Sequence, residues 1–186
     1  VVAININAAP NAGVNGTPLV ICDSSSTLID LYLLINGEQS GGIWTQLTGT
    51  GGLFDAVNGT FTPASGATNS TFKYEITGTS PCMSSSSIAS ITINDVPDAG
   101  TANPTIDVCD SSTVAIDLFG LISGEQPGGV WTQLTGSGGV FNAATGTYTL
   151  VSGALTSTFR YTIAGVLPCV DDTVDVAINV HSQPNA

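Results

Sequence analysis

The sequence has few charged residues, and almost none of them are cations. Only 9% of its 186 residues are charged, and the formal net charge is −12 because Lys73 and Arg160 are the only Lys or Arg residues. Nucleic acids and anionic membranes attract clusters of Lys and Arg, which displace counterions from phosphate groups. No apolar stretch approaches the length of a membrane span. The composition therefore predicts neither a nucleic-acid partner nor a membrane span in this chain.

The residues that most enzyme sites require are also scarce. His181 is the one histidine, and with no free cysteine expected, neither a Ser-His-Asp nor a Cys-His arrangement is predicted. Asp171 and Asp172 are adjacent carboxylates, but Ser84 and Ser85 stand 87 residues earlier. A solvated turn is the better interpretation of the acidic pair. The sequence predicts no enzyme.

What the chain does contain is internal repetition, with a period of 87 residues and no gap. Trp44 recurs as Trp131, and Tyr74 recurs as Tyr161. A fixed period indicates one folding unit copied in tandem. We expect one repeat at 9–95 and a second at 96–182, with 1–8 as the last strand of a preceding repeat and 183–186 as the start of a following one.

Each repeat carries two cysteines, 60 positions apart. Zinc sites use closely spaced ligand pairs, which are absent, so the pattern predicts disulfides formed in an oxidising, extracellular compartment. Four cysteines allow three pairings. Self-contained repeats favour Cys22–Cys82 and Cys109–Cys169, while Cys82–Cys109 across the junction remains an alternative.

Each copy reads as short strands separated by Gly, Pro, Ser and Asn clusters. Residues 72–76 alternate between apolar and charged side chains, which is typical of a half-buried antiparallel strand. Asp30 is a good N-cap for one helical turn over 31–35. Together these features predict an all-β fold of two tandem immunoglobulin-like β-sandwiches, arranged end to end. The predicted strands in the first copy are 19–22, 27–30, 43–48, 60–63, 71–77 and 87–93.

All twelve aromatic residues recur at equivalent positions of the two copies. A sugar-binding or partner-binding platform would add exposed rings to one copy, and none has been added. The pattern favours rings that fill two equivalent cores. The predicted core side chains are Trp44, Phe72 and Tyr74 in the first copy and Trp131, Phe159 and Tyr161 in the second.

No cofactor is predicted, although calcium is an alternative at the junction between the copies. Hard cations bind several oxygen ligands, and Asn94, Asp95 and Asp98 offer such oxygens. The equivalent positions before the first copy offer only Asn7 and Asn11. This difference argues against a general calcium site at the junctions.

The order of the sequence elements resembles the tandem repeats of very large surface adhesins of Bacteroidetes, including SprB-type gliding adhesins. The elements are Pro-x-Ala-Gly at 10–13, Cys22, Asp-Leu at 30–31, Gly-Gly-x-Trp at 41–44, Gly-Thr-Phe at 59–61, Thr-Phe-x-Tyr-x-Ile at 71–76, Pro-Cys at 81–82 and an Ile-rich strand at 88–93.

This resemblance implies export by the type IX secretion system and a place on the cell surface. The repeats would form a stalk whose partners are neighbouring repeats, with an unknown ligand at a distant tip. The alternative is a glycan- or protein-binding module that uses loops which differ between the copies, at 14–20 and 83–87. The tripeptide at 172–174 is similar to the O-glycosylation motif of Bacteroidetes and marks Thr173 as a modification candidate.

Overall fold

The computed structural model describes residues 6–182, which form two compact units. Unit 1 comprises the residues up to Val96 together with Leu167–Cys169. Unit 2 comprises Pro97–Val166 and the residues from Val170 onward. Three residues of the second sequence repeat therefore fold as part of unit 1.

The described residues of unit 1 contain nine strands and one helical turn. The strands are β1 (Val14–Asn15), β2 (Leu19–Cys22), β3 (Ile29–Asp30), β4 (Ile35–Asn36), β5 (Ile43–Thr48), β6 (Gly52–Asp55), β7 (Thr60–Pro63), β8 (Ser70–Ile76) and β9 (Ser85–Asn94).

The strands of unit 1 form two main sheets. One sheet has the order β2-β9-β8-β5 and the other has the order β3-β7-β6, with β1 and β4 forming a small separate ladder. Among residues 6–96, β2 pairs with β9 in parallel and the other ladders are antiparallel. A four-stranded and a three-stranded sheet around one core make an immunoglobulin-like sandwich, which confirms the predicted fold class.

Unit 2 repeats this topology. Its main sheets have the orders β11-β18-β17-β14 and β12-β16-β15, and β10 pairs with β13. The strands are β10 (Thr101–Ala102), β11 (Ile106–Cys109), β12 (Ala115–Asp117), β13 (Ile122–Ser123), β14 (Val130–Thr135), β15 (Gly139–Asn142), β16 (Thr147–Leu150), β17 (Ser157–Ile163) and β18 (Asp172–His181).

The predicted helical turn forms in both units as a 3₁₀ helix, over Leu31–Leu34 and Leu118–Leu121. In unit 1 the carboxylate of Asp30 accepts a hydrogen bond from Tyr32 N at 3.0 Å, as expected of an N-cap. The turn ends because Ile35 returns to extended backbone. Within residues 6–182, no helical segment is long and apolar enough to cross a bilayer.

One glycine shows how tightly the core is packed around each tryptophan. Gly59 has a φ of +65°, and a Cβ atom placed there would lie 2.5 Å from Trp44 Nε1. Gly146 has the same role beside Trp131, with a φ of +63°. A side chain at either position would meet both backbone strain and an aromatic ring. This explains why a glycine directly precedes β7 and the equivalent strand β16.

Candidate functional site

The candidate functional site is a disulfide that joins the two copies of the repeat. Cys22 and Cys169 are bonded, with 5.1 Å between their Cα atoms and a sequence separation of 147 residues. Cys22 is the last residue of β2, where its partner in the parallel ladder with β9 is Asn94. Both cysteines lie in unit 1, because Leu167–Cys169 belongs to that unit. The bond therefore fixes a segment of the second copy to the sheet of the first.

Asn94, at the end of β9, contacts both chain segments that carry the bonded sulfurs. Its Nδ2 donates to Leu167 O at 2.9 Å, and its carbonyl oxygen lies 3.4 Å from Cys169 Sγ. The same carbonyl accepts a hydrogen bond from Asp23 N at 2.9 Å. Cys169 is only 3% exposed. Asn94 thus positions Cys169 beside the strand end that carries Cys22.

The structure corrects the predicted disulfides. Pairing within each repeat required Cys22–Cys82 and Cys109–Cys169, but Cys22 bonds to Cys169, and Cys82 and Cys109 are free. The physical reason is that Leu167–Cys169 folds with unit 1, which removes Cys169 from the unit that contains Cys109. On the chain-entropy model, closing a loop of this length stabilises the folded state by about 5 kcal/mol.

The six side chains predicted to fill the cores are buried in their units. None of them is more than 2% exposed. In unit 1, Tyr32 meets Trp44 edge to face with 5.4 Å between ring centroids, and Phe119 meets Trp131 in the same way in unit 2 at 5.7 Å. These buried rings offer no stacking face to a sugar. The six are Trp44, Phe72, Tyr74, Trp131, Phe159 and Tyr161.

The hydroxyl groups of two core tyrosines tie the sandwich to a neighbouring loop. Tyr74 Oη donates to Gln39 O at 2.7 Å and accepts from Gly42 N at 2.9 Å. Tyr161 makes the equivalent pair of bonds in unit 2, both at 2.9 Å. Burial raises the pKa of the Tyr74 phenol above its ordinary value, because the phenolate would lose its solvation.

The adjacent carboxylates have structural roles. Asp172 Oδ2 accepts from Ala99 N at 2.8 Å, and Asp171 Oδ1 accepts from Gly165 N at 2.9 Å. In unit 1 the hydroxyls of Ser85 and Ser84 accept from the equivalent amides of Ala12 and Gly78. A hydroxyl replaces each carboxylate, so these contacts do not require a charge.

The proposed calcium ligands show a similar substitution. Asp98 Oδ1 accepts from Gly100 N at 2.8 Å, and Asn11 Oδ1 accepts from Gly13 N at 3.0 Å in unit 1. Both are turns in which the side chain bonds the backbone two residues on, for which an amide serves as well as a carboxylate. Asp95 is exposed. No group of three or more metal-ligating His, Cys, Asp or Glu side chains occurs among residues 6–182, and calcium at Asp95 and Asp98 stays an untested alternative.

Two further sequence candidates lie on the last strand of unit 2. Thr173 is exposed and pairs with Thr162 across the ladder. O-glycosylation of its hydroxyl stays a prediction. His181 Nε2 lies 2.8 Å from Asp107 Oδ1, and both side chains are about two-thirds exposed. The hydrogen bond from His181 lowers the pKa of Asp107.

Sequence reasoning missed an open apolar groove in unit 1, with a volume of about 420 Å³. Leu28 and Leu33 line it and are 63% and 79% exposed. Ala115 and Gly120 stand at these positions in unit 2. The copies differ here by the loss of two large apolar side chains, a signal visible in the repeat alignment. The other lining residues are Leu19, Ile21, Ser25, Thr27, Ile29, Asp30 and Leu34.

Comparison with known proteins leaves the family open. No protein-family model matches the chain, and no curated protein matches it significantly. Solved structures of similar fold include titin domains I67–I69 in an E-to-A mutated variant, at 10% identity and a TM-score of 0.49. That match covers 95% of this chain, which spans 65% of the titin fragment.

Cadherin-type structures are also similar at low identity. Drosophila N-cadherin EC1-4 is 7% identical with a TM-score of 0.42, and the match covers 92% of this chain and 50% of the cadherin chain. Human mucin-like protocadherin EC1-2 is 13% identical with a TM-score of 0.40, and the match covers 91% of this chain and 97% of that one.

Proposed function

We propose that this chain is a load-bearing spacer within the stalk of a large extracellular adhesin. The observation that supports this role is the Cys22–Cys169 bond, which links the two copies of the repeat covalently across 147 residues. Disulfides form and persist in oxidising compartments, so the bond fits an extracellular location. The buried aromatic cores and the backbone contacts of the acidic pair also fit a structural role.

The bond has a direct mechanical consequence. When the chain is pulled from its two ends, tension passes from Cys22 to Cys169 through the sulfurs and bypasses residues 23–168. An extended chain spans at most about 3.6 Å per residue, so the bypass withholds roughly 500 Å of extension. A spacer with this link would lengthen little under load, even if its sandwiches unfolded.

The finer part of the proposal rests on the resemblance to Bacteroidetes surface repeats. The chain would be exported by the type IX secretion system and displayed at the cell surface, and gliding motility is one role of such adhesins. Its partners would be neighbouring repeats, while the ligand would bind at a distant tip. We propose no catalytic role for these two units.

Single-molecule pulling from the two termini tests the load-bearing role. We expect the oxidised chain to release about 500 Å less contour length on unfolding than the reduced chain. Cys22→Ser should match the reduced chain under oxidising conditions, and Cys109→Ser should match the oxidised wild type. Equal contour lengths with and without reductant would refute a spacer limited by this bond.

A second candidate function is a binding module, and the apolar groove of unit 1 is the observation that favours it. Its lining suits an apolar protein segment better than a glycan, because sugars present many hydroxyl groups that need polar partners. A glycan array probed with the chain should therefore be negative. Strong glycan binding that is lost when the loops at 14–20 or 83–87 are exchanged for those of the second copy would favour the binding module.

A further inference from the structure

The two free cysteines occupy the same sequence positions as the two bonded ones. Cys109 is the counterpart of Cys22, and Cys82 is the counterpart of Cys169. In the bond that forms, the first cysteine of one copy pairs with the second cysteine of the next copy. By the same rule, Cys109 would pair with the second cysteine of a following copy, and Cys82 with the first cysteine of a preceding copy. Neither of these partner cysteines is among residues 6–182.

The surroundings of Cys82 match those of Cys169. Asn7 Nδ2 donates to Ser80 O at 3.1 Å, as Asn94 does to Leu167 O. Cys82 Sγ lies 3.5 Å from Asn7 O, and Cys169 Sγ lies 3.4 Å from Asn94 O. The asparagine that positions Cys169 for its bond thus has a counterpart, Asn7, already in place beside Cys82.

The backbone setting of Cys109 matches that of Cys22. Cys109 ends β11, which pairs in parallel with β18 in the same register that β2 has with β9. Asp110 N donates to His181 O at 3.0 Å, the counterpart of the bond from Asp23 N to Asn94 O. Cys109 is exposed. Its strand end therefore presents the thiol in the setting from which Cys22 reaches its partner.

From these two matches we infer that Cys82 and Cys109 are half-sites for disulfides to further copies of the repeat in the same chain. Where a copy follows, its second cysteine bonds to Cys109. Where a copy precedes, its first cysteine bonds to Cys82. Each bond forms by thiol–disulfide exchange with a low-molecular-weight disulfide, which accepts two electrons and leaves as two thiols.

Such links would interleave along an array, because each one spans part of two consecutive copies. The segment from Cys82 to Cys109, a sequence separation of only 27 residues, would then join one link to the next. A stretched array would then carry tension along the sulfur bridges and these short segments. For every two copies, which contain 174 residues, the shortest covalent path would run through one such segment. This inference extends the proposed spacer role, but its test reads disulfide connectivity and not mechanics, so either can fail alone.

The test is a chain extended in frame by a second copy of residues 100–186 placed directly after Ala186, which preserves the 87-residue period. The protein is refolded in glutathione disulfide and glutathione, alkylated and mapped without reduction. We expect Cys22–Cys169 and a new bond from Cys109 to the added copy of Cys169. Cys82 and the added copy of Cys109 should remain outside protein disulfides. Cys109→Ser in the extended chain should leave the added copy of Cys169 unpaired and Cys22–Cys169 intact.

Three results would overturn the inference. The first is a bond between the two cysteines of the added copy, and the second is a Cys82–Cys109 bond. The third is a disulfide-linked multimer in place of a monomer on a non-reducing gel. If the extended chain does not fold, the original chain decides: Cys82 and Cys109 should each react with maleimide or glutathione, and a bond between them within one chain would refute the assignment.

Discussion

Cys22 and Cys109 stand at the same place in the two units, yet only Cys22 is bonded. Each ends a strand that pairs in parallel with the last long strand of its unit. The difference is that Leu167–Cys169 from the second copy folds against the end of β9 in unit 1. The comparison teaches that the bonding of a cysteine in this repeat depends on the adjoining copy and not on the fold of its own copy.

The largest expected effect comes from removing the bonded cysteine. Cys22→Ser should lower the free energy of unfolding by up to about 5 kcal/mol, because the unfolded chain regains the entropy of a 147-residue loop. Cys109→Ser should change it by less than about 0.5 kcal/mol, as is usual for exposed sites. Urea unfolding of both variants measures the difference. Equal losses would mean that both cysteines are bonded.

A second prediction tests whether the two cores are equivalent. Trp44→Ala and Trp131→Ala should each cost about 3–5 kcal/mol, because both indoles are only 2% exposed. Tryptophan fluorescence of each single-tryptophan variant should report an apolar environment. A water-like emission from either indole would contradict a shared core.

A third prediction concerns Asp172, which stands in unit 2 where unit 1 has Ser85. Asp172→Ala should cost roughly 1–3 kcal/mol, because it leaves the amide of fully buried Ala99 without its acceptor. Asp172→Ser should retain most of the stability, since Ser85 serves the amide of Ala12 in unit 1. Thermal unfolding of the two variants provides the measurement. If Asp172→Ser is as damaging as Asp172→Ala, the carboxylate has a role beyond accepting this bond.

The smallest predicted effect on stability comes from the surface ion pair of unit 2, which differs from the ion pair of unit 1. Arg160 makes two hydrogen bonds to Asp175 across the ladder, at 2.7 and 2.8 Å, and lowers the pKa of that carboxyl. A lowered folded-state pKa adds stability above the ordinary pKa of aspartate, and this stability is lost as the pH falls through the lowered value. Arg160→Ala should return the pKa of Asp175 toward its ordinary value in a carboxyl NMR titration.

The effect of this pair on stability should be below about 1 kcal/mol, since both side chains are more than 40% exposed. Unit 1 pairs its cation differently: Lys73 Nζ lies 2.6 Å from Glu75 on the same strand, and Ile88 stands at the position of Asp175. Arg160→Ala should therefore leave unit 1 unchanged. Loss of stability above 2 kcal/mol would contradict an exposed surface pair.

Much of the fold follows from local sequence pattern. The strands at 19–22, 43–48 and 60–63 have the predicted bounds, because alternation and flanking turn residues define them. Two-residue strands such as Val14–Asn15 have too little pattern to predict. The long strand β9 begins two residues earlier than expected, since Ser85 and Ser86 are polar yet continue the ladder.

The disulfide could not be predicted for a different reason. A fixed period without gaps gives Cys82 and Cys169 the same position within the repeat, so no pattern within one period reveals which copy supplies the partner. The deciding fact is tertiary: Leu167–Cys169 lies in unit 1, where Asn94 bonds the backbone of Leu167. The one sequence hint is that an asparagine recurs at positions 7 and 94, one period apart.

Non-reducing peptide mapping of the oxidised chain, with free thiols alkylated before digestion, tests the central claim most directly. The account predicts one cross-linked peptide pair that contains Cys22 and Cys169, together with alkylated Cys82 and Cys109. Cross-links from Cys22 to Cys82 and from Cys109 to Cys169 would show that each repeat is closed on itself and would contradict the account.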